Sequence, residues 1–380
     1  MLYRKMKGVK EPLSILGFGT MRLPTGEGGK IKEAEAIRMI RYAIDHGVNY
    51  VDTAYPYHEG TSEPLVGRAL RDGYRDRMFL ATKLPGWLVN TREDMDRYLN
   101  EQLSQLQTDH IDFYLLHGLM QQGWDHLVPL HVTEFLDDAI ADGRIRYAGF
   151  SFHDTLPLFK EIVDAYDWTF AQIQYNYMDE EYQAGTEGLR YGARRGLGMV
   201  IMEPVRGGLL AQEVPGITEV WKSTPGKPTP ADRAFSWVWD HPEVTIALSG
   251  MSTMDQLKEN LKSAEYGKAG SLGAEDLSIY DSVRSKFQER IVIPCTGCRY
   301  CMPCPSAVNI PVCFELYNQS FMFGTKEQST RHYNFINGGF FDSIHSFASC
   351  CTECGKCEEK CPQGLHIREH MKEVARFFGR

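Results

Sequence analysis

At 380 residues the chain exceeds one ordinary domain and suits a large domain followed by a small one. Apolar residues make up 43%, enough for a packed core, and 41 basic against 50 acidic residues leave a net charge of −9, which argues against a nucleic-acid partner. No apolar run reaches the ~18 residues of a membrane span, and the opening MLYRKMKGVK has no apolar signal core, so a cytoplasmic protein without a membrane partner is expected.

From Leu13 to about Ser263, strand-like runs alternate with amphipathic helix-like runs. SILGFGTM (14–21) precedes a helix over 33–46, in which Ile37, Ile40 and Ile44 recur at helical spacing. YVDTA is followed by 64–71, MFLATKL by 92–106, IDFYLLHG by 132–141 and IRYAGFS by 156–166. FAQIQYN then precedes 180–195, MVIMEPV precedes 231–241 and VTIALSGM precedes 254–263. Eight strand–helix units in a row predict an α/β fold, a (β/α)8 TIM barrel over residues 1–273.

In such a barrel, chemistry sits at the C-terminal ends of the strands. Asp52 stands where YVD stops, and Tyr57 lies in the polar loop just beyond it. Lys83 ends the third strand and His117 the fourth. A phenol can serve as a general acid if a neighbouring cation lowers its reference pKa of about 10. Each residue alone has a plainer role: a capping Asp, a half-buried Tyr, a solvated Lys, a structural His. Four ionisable groups at neighbouring strand ends favour a working cluster. Trp87, Trp124, Phe152 and His153 are placed in loops that could line its pocket.

The motifs GFGTM (17–21), VDTAYPY with Ser62–Glu63, Lys83 in ATKL, IDFYLLH, GFS (149–151), AQIQYN and LSGMSTMDQLKEN resemble those of the aldo-keto reductases, in order over residues 8 to 264. The resemblance implies hydride transfer between NAD(P)H and an aldehyde or ketone, or the reverse with the alcohol. Tyr57 would be the acid, Lys83 the cation that lowers its pKa, Asp52 the partner of Lys83, and His117 the group that orients the carbonyl. It also implies nucleotide contacts from Gly19, Thr20, Met21, Asp52, Ser151, Gln172, Met202, Pro204, Val205, Gly207, Gly208, Gly250, Gln256 and Asn260. Ser151 and Gln172 match contacts to the nicotinamide carboxamide. Phe152 stands where many members have asparagine, and Met202 where a tyrosine often stacks on the nicotinamide ring. Gly207 and Gly208 either let backbone approach the pyrophosphate or form a simple turn. Gly250 and Gln256 replace the Lys and Arg that often clamp the 2′-phosphate of NADP, leaving NAD and NADP both open. Lys258 and Lys262 on the next helix read as solvated charge.

All ten cysteines lie between Cys295 and Cys361, a composition break that marks a second domain over 291–380 after a helical connector at 274–290. With no export signal, disulfides are a poor use for them. Cys351, Cys354, Cys357 and Cys361-Pro362 form the C-x2-C-x2-C-x3-C-P run of two-cluster ferredoxins; Cys295, Cys298, Cys301 and Cys304-Pro305 repeat it with a last gap one residue shorter. In that pattern the fourth cysteine serves the other cluster. One [4Fe–4S] cluster is therefore expected on Cys295, Cys298, Cys301 and Cys361, and a second on Cys351, Cys354, Cys357 and Cys304. Zinc is the alternative occupant of C-x2-C pairs. Cys313 and Cys350 are left over. The segment between the runs reads as helical, so the tail is expected to be a mainly α-helical ferredoxin-like domain.

These readings describe an oxidoreductase acting on a small carbonyl or alcohol, with clusters for electron transfer and a possible redox partner, a ferredoxin or a flavoprotein. The alternative is an electron-carrier or redox-complex subunit whose barrel is not catalytic or binds a flavin.

Overall fold

The computed structural model describes residues 1–222, 229–339 and 344–380. It divides into two compact units: one runs from Met1 to Gln212 and again up to Glu275, and the other comprises the segment beginning at Glu213 together with Asp276–Arg380.

In the first unit, eight parallel strands close into a barrel. They are β1 (Leu16–Gly19), β2 (Tyr50–Asp52), β3 (Phe79–Leu84), β4 (Ile111–Leu119), β5 (Ile145–Phe152), β6 (Phe170–Gln174), β7 (Gly198–Met202) and β8 (Val244–Ser249). Closure comes from β8 pairing with β1, Leu248 opposite Gly17. The strand interiors supply Tyr50, Ala81, Phe113, Phe170, Val200 and Ile246 to one apolar cluster, which Met6 and Leu13 join from the N-terminal segment. Gly149 is required there, because any Cβ would run into the Phe170 ring.

The helices α1 (Glu33–Asp45), α2 (Ser62–Ala69), α3 (Arg92–Leu106), α4 (Val132–Ala141), α5 (Leu156–Ala165), α6 (Gly185–Arg194), α7 (Pro230–Asp240) and α8 (Met254–Ser263) follow the strands in turn. Their buried faces show the spacing that defines an amphipathic helix: Ala36, Met39, Ile40, Ala43 and Ile44 in α1 are one example. The expected alternation is therefore found. Several boundaries moved: α2 starts at Ser62 rather than 64, and β3 and β4 run past Lys83 and His117 to Leu84 and Leu119. Helix α6 begins at Gly185 rather than near 180, after Gln183 and Gly185 turn the chain through left-handed conformations (φ 57 and 58°). An unanticipated helix, Gln121–Leu127, lies between β4 and α4. It is only 7 residues long and buries just Trp124 and Leu127, too little periodicity to stand out in the sequence.

The second unit is helical, as the tail composition suggested. Ala274–Gln288 leads into it, and Ile310–Phe323, Lys326–Asn337 and Ile367–Phe378 surround a core of Phe314, Tyr317, Tyr333, Met371 and Val374. Tyr333 stacks on Phe378 with ring centroids 4.1 Å apart, and its hydroxyl accepts the Ala348 N–H at 2.7 Å.

Candidate active site

Strand β2 stops at Asp52 because the loop behind it turns sharply. His58, Glu59 and Gly60 all have positive φ, and the Tyr57 N–H closes a turn on the Ala54 carbonyl at 3.1 Å. This puts the Tyr57 side chain beside the end of β3. There Lys83, 1% exposed, donates to both Asp52 oxygens at 2.8 Å and to the Thr53 carbonyl at 2.7 Å. Three acceptors around one nitrogen match the three N–H bonds of an ammonium. Burial opposes that charge, but Asp52 and then Tyr57 more than offset it, so the Lys83 pKa is raised.

The Lys83 Nζ lies 3.5 Å from the Tyr57 hydroxyl and 5.0 Å from the centre of its ring. The expectation that this cation lowers the phenol's pKa holds for its own contribution only. Burial pushes Tyr57 up by more than Lys83 pulls it down, and Asp52 adds to the rise. The physical reason is that burial of the phenol outweighs the nearby ammonium, and the Asp52 carboxylate opposes it further. His117 completes the group: its ring meets Tyr57 edge to face at 6.0 Å and tilts against Trp87 at 5.2 Å. Burial, with Lys83 and His153 nearby, pushes His117 well below the ordinary imidazole value, so it is neutral at pH 7. Its Nδ1 is buried and has no hydrogen-bond partner.

Ser151 and Gln172 face each other in register on β5 and β6. The Ser151 hydroxyl accepts the Gly118 N–H at 2.7 Å, and the Gln172 amide points its Nε2 at the Met202 sulfur, 3.8 Å away. The Gln172 Oε1 is buried without a partner. An orphaned amide oxygen beside a thioether fits a carboxamide that donates to it, which is what a nicotinamide would bring.

Beyond β7 the chain runs Glu203–Gly208, with Pro204 and Val205 between, and turns left-handed at Glu203, Arg206, Gly207 and Gly208 (φ 57, 47, 63 and 93°). A Cβ on Gly207 would sit 2.9 Å from Arg22 Nη2 and 3.4 Å from Glu203 Oε2. Only glycine lets the backbone come this close at that φ. The Val205 carbonyl accepts from Gly208 and Leu210. At the end of β8, Gly250 leaves room for the Arg22 stem, which lies 3.1 Å from where its Cβ would be. Gly19 approaches the Ser249 carbonyl, Thr20 is fully buried and Met21 is exposed. The Gln256 side chain accepts the Ser252 N–H at 2.8 Å, and the Asn260 amide donates to Ser249 at 2.9 Å below the surface.

Two aromatics expected to line the pocket do not. Phe152 is fully buried, 5.2 Å from Phe159 on α5, because it alternates with the inward-facing Ser151 and so points to the helix layer. Trp124 is buried, 5% exposed, in the short helix Gln121–Leu127. Trp87, 50% exposed, and His153, within 3.5 Å of Gln183, do stand near His117. The sequence reading passed over Arg22 and Glu203. The signals were available: Arg22 directly follows GFGTM, and Glu203 is an acid at a strand's C-terminal end, as Asp52 is.

In the second unit, Cys304 lines one recess with Cys351, Cys354 and Cys357. Cys295 lies within electrostatic reach of Cys298 and Cys361, and Cys301 within reach of Cys295 and Cys298. Four thiols around a recess fit the ligand demand of a [4Fe–4S] cubane. Cys313 is buried, its thiol 3.9 Å from the Tyr333 hydroxyl, and Cys350 directs its thiol at the His345 carbonyl.

Residues 15–271 match the model of the aldo/keto reductase family, and residues 294–370 match that of a 4Fe-4S dicluster domain. The chain belongs to the aldo/keto reductase family and carries a C-terminal 4Fe–4S domain. It is 26% identical over 297 residues to "Uncharacterized oxidoreductase YrpG" of Bacillus subtilis, covering 67% of this chain and 88% of that one. It is 26% identical over 329 residues to "Protein tas" of Escherichia coli, covering 69% and 93%. Among solved structures, the holo form of aldo-keto reductase AKR11C1 from Bacillus halodurans superposes with a TM-score of 0.63 at 26% identity, over 74% of this chain and 96% of that one. An aldo-keto reductase from Klebsiella pneumoniae in complex with NADPH gives 0.61 at 25%, over 75% and 96%. Among the described residues, no helix is long and apolar enough to cross a membrane.

Proposed function

We propose that the barrel is a nicotinamide-dependent carbonyl reductase in which Tyr57 is the general acid. The observation that carries this is the Lys83 ammonium, held by Asp52 and Thr53 and standing 3.5 Å from the Tyr57 hydroxyl. When bound, a reduced nicotinamide supplies a hydride to the carbonyl carbon. Tyr57 gives its proton to the carbonyl oxygen as that oxygen becomes an alkoxide, and Lys83 stabilises the phenolate left behind. Because burial raises the Tyr57 pKa, the phenol keeps its proton until a strongly basic alkoxide takes it. Neutral His117 orients the carbonyl with a ring N–H. Asp52 keeps Lys83 charged and in place.

Ser151 and Gln172 would hold the carboxamide and Met202 would lie against the ring, while Gly207, Gly208 and Arg22 would meet the pyrophosphate. In the tail, Cys295, Cys298, Cys301 and Cys361 would hold one [4Fe–4S] cluster, and Cys304 with Cys351, Cys354 and Cys357 the other; each cluster would exchange single electrons. The NADPH complex of the Klebsiella pneumoniae relative supports the choice of cofactor class. Reduction of a panel of aldehydes and ketones by NADH and NADPH, measured on anaerobically purified protein, tests the reading. No turnover with any of them, together with cluster reduction by a ferredoxin or flavoprotein, would favour an electron-carrier subunit instead.

A further inference from the structure

Glu203 directly follows β7, beside the positions proposed to meet the nucleotide. Its carboxyl accepts the Gly207 N–H, and the Arg22 guanidinium stands against the same glycine. The loop that carries it makes four left-handed turns in six residues. The Arg206 and Gly208 N–H groups bond to the Glu203 and Val205 carbonyls, so the Gly207 N–H is the donor the loop turns toward the carboxyl. Arg22 is held at its backbone and stem: its carbonyl accepts the Ser252 hydroxyl at 2.8 Å, and its stem fills the space that Gly250 leaves. An N–H from a left-handed glycine and a guanidinium beside it are donors suited to a phosphate. Here the Glu203 carboxylate takes that N–H and lies within electrostatic reach of the guanidinium.

We propose that Glu203 is a built-in competitor for the cofactor's phosphates: its carboxylate and a dinucleotide's pyrophosphate contend for the same Gly207 N–H and Arg22 guanidinium. This rests on the reading of the barrel as a nicotinamide enzyme. Binding then requires the carboxylate to leave, and the apparent affinity falls in proportion to the fraction of molecules in which it has left. Ionised, Glu203 also repels the incoming phosphates.

Four other groups face it. Arg22 comes from the loop after β1, Asp179 from the loop after β6, Arg206 from its own loop and Tyr57 from the loop after β2. Burial pushes the carboxyl up, Arg22 pulls it down and Asp179 pushes it up again, leaving it raised. Acidification therefore neutralises Glu203 earlier than an ordinary carboxyl and frees the cradle. Cofactor affinity rises as pH falls.

The test is titration of NADH and NADPH, by fluorescence, into anaerobic full-length protein and its Glu203→Gln variant from pH 8 downward. If about one molecule in ten has the cradle free, the variant binds both cofactors ~10-fold tighter at pH 8. The wild type also gains affinity as the pH is lowered through the Glu203 titration, and the variant does not. Should Glu203→Gln fail to fold, Glu203→Asp, which keeps the charge but draws it back from the Gly207 N–H, carries the same expectation at smaller size. Weaker binding by the variant overturns the proposal, because Glu203 would then be organising Arg22 for the cofactor. Equal binding to both proteins removes this inference alone. Binding of neither cofactor to either protein removes the carbonyl-reductase reading as well.

Discussion

The Lys83 ammonium is held by both oxygens of Asp52, each at 2.8 Å, and the pair is buried almost completely. Breaking a buried pair from one side is costlier than removing both partners, since it strands a charge. Lys83→Met is expected to destabilise the barrel by ~3–5 kcal/mol and to abolish turnover. Asp52→Asn added to Lys83→Met should recover part of that loss without restoring activity. Thermal melts of the three variants check it; a double variant less stable than Lys83→Met would contradict the pairing.

A second buried carboxyl, Glu63 on α2, accepts from Thr82 at 2.5 Å and from Gln102 at 2.7 Å, while its other oxygen is unpartnered. Burial pushes it up to about 6 from an ordinary 4.5. Between those values the folded chain binds more protons than the unfolded one, so stability is higher below pH 4.5 and falls as pH rises to about 6. The fall is on the order of 2 kcal/mol. Urea midpoints across this range should show it in the wild type and lose it in Glu63→Gln. A variant with an unchanged slope would assign the titration elsewhere.

At the end of β8 the positions expected to clamp a 2′-phosphate carry Gly250, which accommodates Arg22, and Gln256, whose side chain accepts from Ser252. Two missing charge-assisted contacts remove a few kcal/mol of selectivity, on the order of 2–4. NADH and NADPH should therefore bind within about tenfold of each other, and fluorescence titration decides it. NADPH binding a hundredfold tighter would mean that another cation supplies the clamp.

Cys304 belongs to the first cysteine run yet lines a recess with Cys351, Cys354 and Cys357 of the second. Anaerobic protein is expected to hold about eight irons and eight sulfides. Replacing Cys361 should damage the cluster that rests on Cys295, Cys298 and Cys301, and spare the one its own run supplies. EPR of the reduced variant distinguishes the two. Loss of the signal from the Cys351–Cys357 cluster, or stoichiometric zinc in place of iron, would refute the crossed arrangement.

The barrel and its helices were legible because eight apolar runs alternate with helical periodicity; Asp52 ends its strand as expected, while β3 and β4 continue past Lys83 and His117. Phe152 was misplaced for a reason the alternation of β5 contains: Ser151 faces inward, so its neighbour faces out. Arg22 and Glu203 were harder. Their approach to Gly207 depends on left-handed turns at Glu203 and Arg206, conformations that nothing in the residue types announces. The net rise of the Tyr57 pKa was also hidden, since it follows from the burial the fold imposes on the phenol and from the Asp52 carboxylate beside it.

Whether Tyr57 delivers the proton is decided by Tyr57→Phe. The substitution removes one hydroxyl and leaves the ring against His117 and Lys83. Carbonyl reduction by the variant should fall ~10²–10⁴-fold, the ordinary contribution of a positioned general acid, while NADH binding stays within about twofold of wild type. Over pH 6–8 the wild-type rate constant for the chemical step should be flat, because Tyr57 is raised and His117 lowered out of that window. Steady-state and single-turnover kinetics with the best aldehyde found, beside a cofactor titration, give both numbers. A variant that reduces the aldehyde at the wild-type rate would contradict the account.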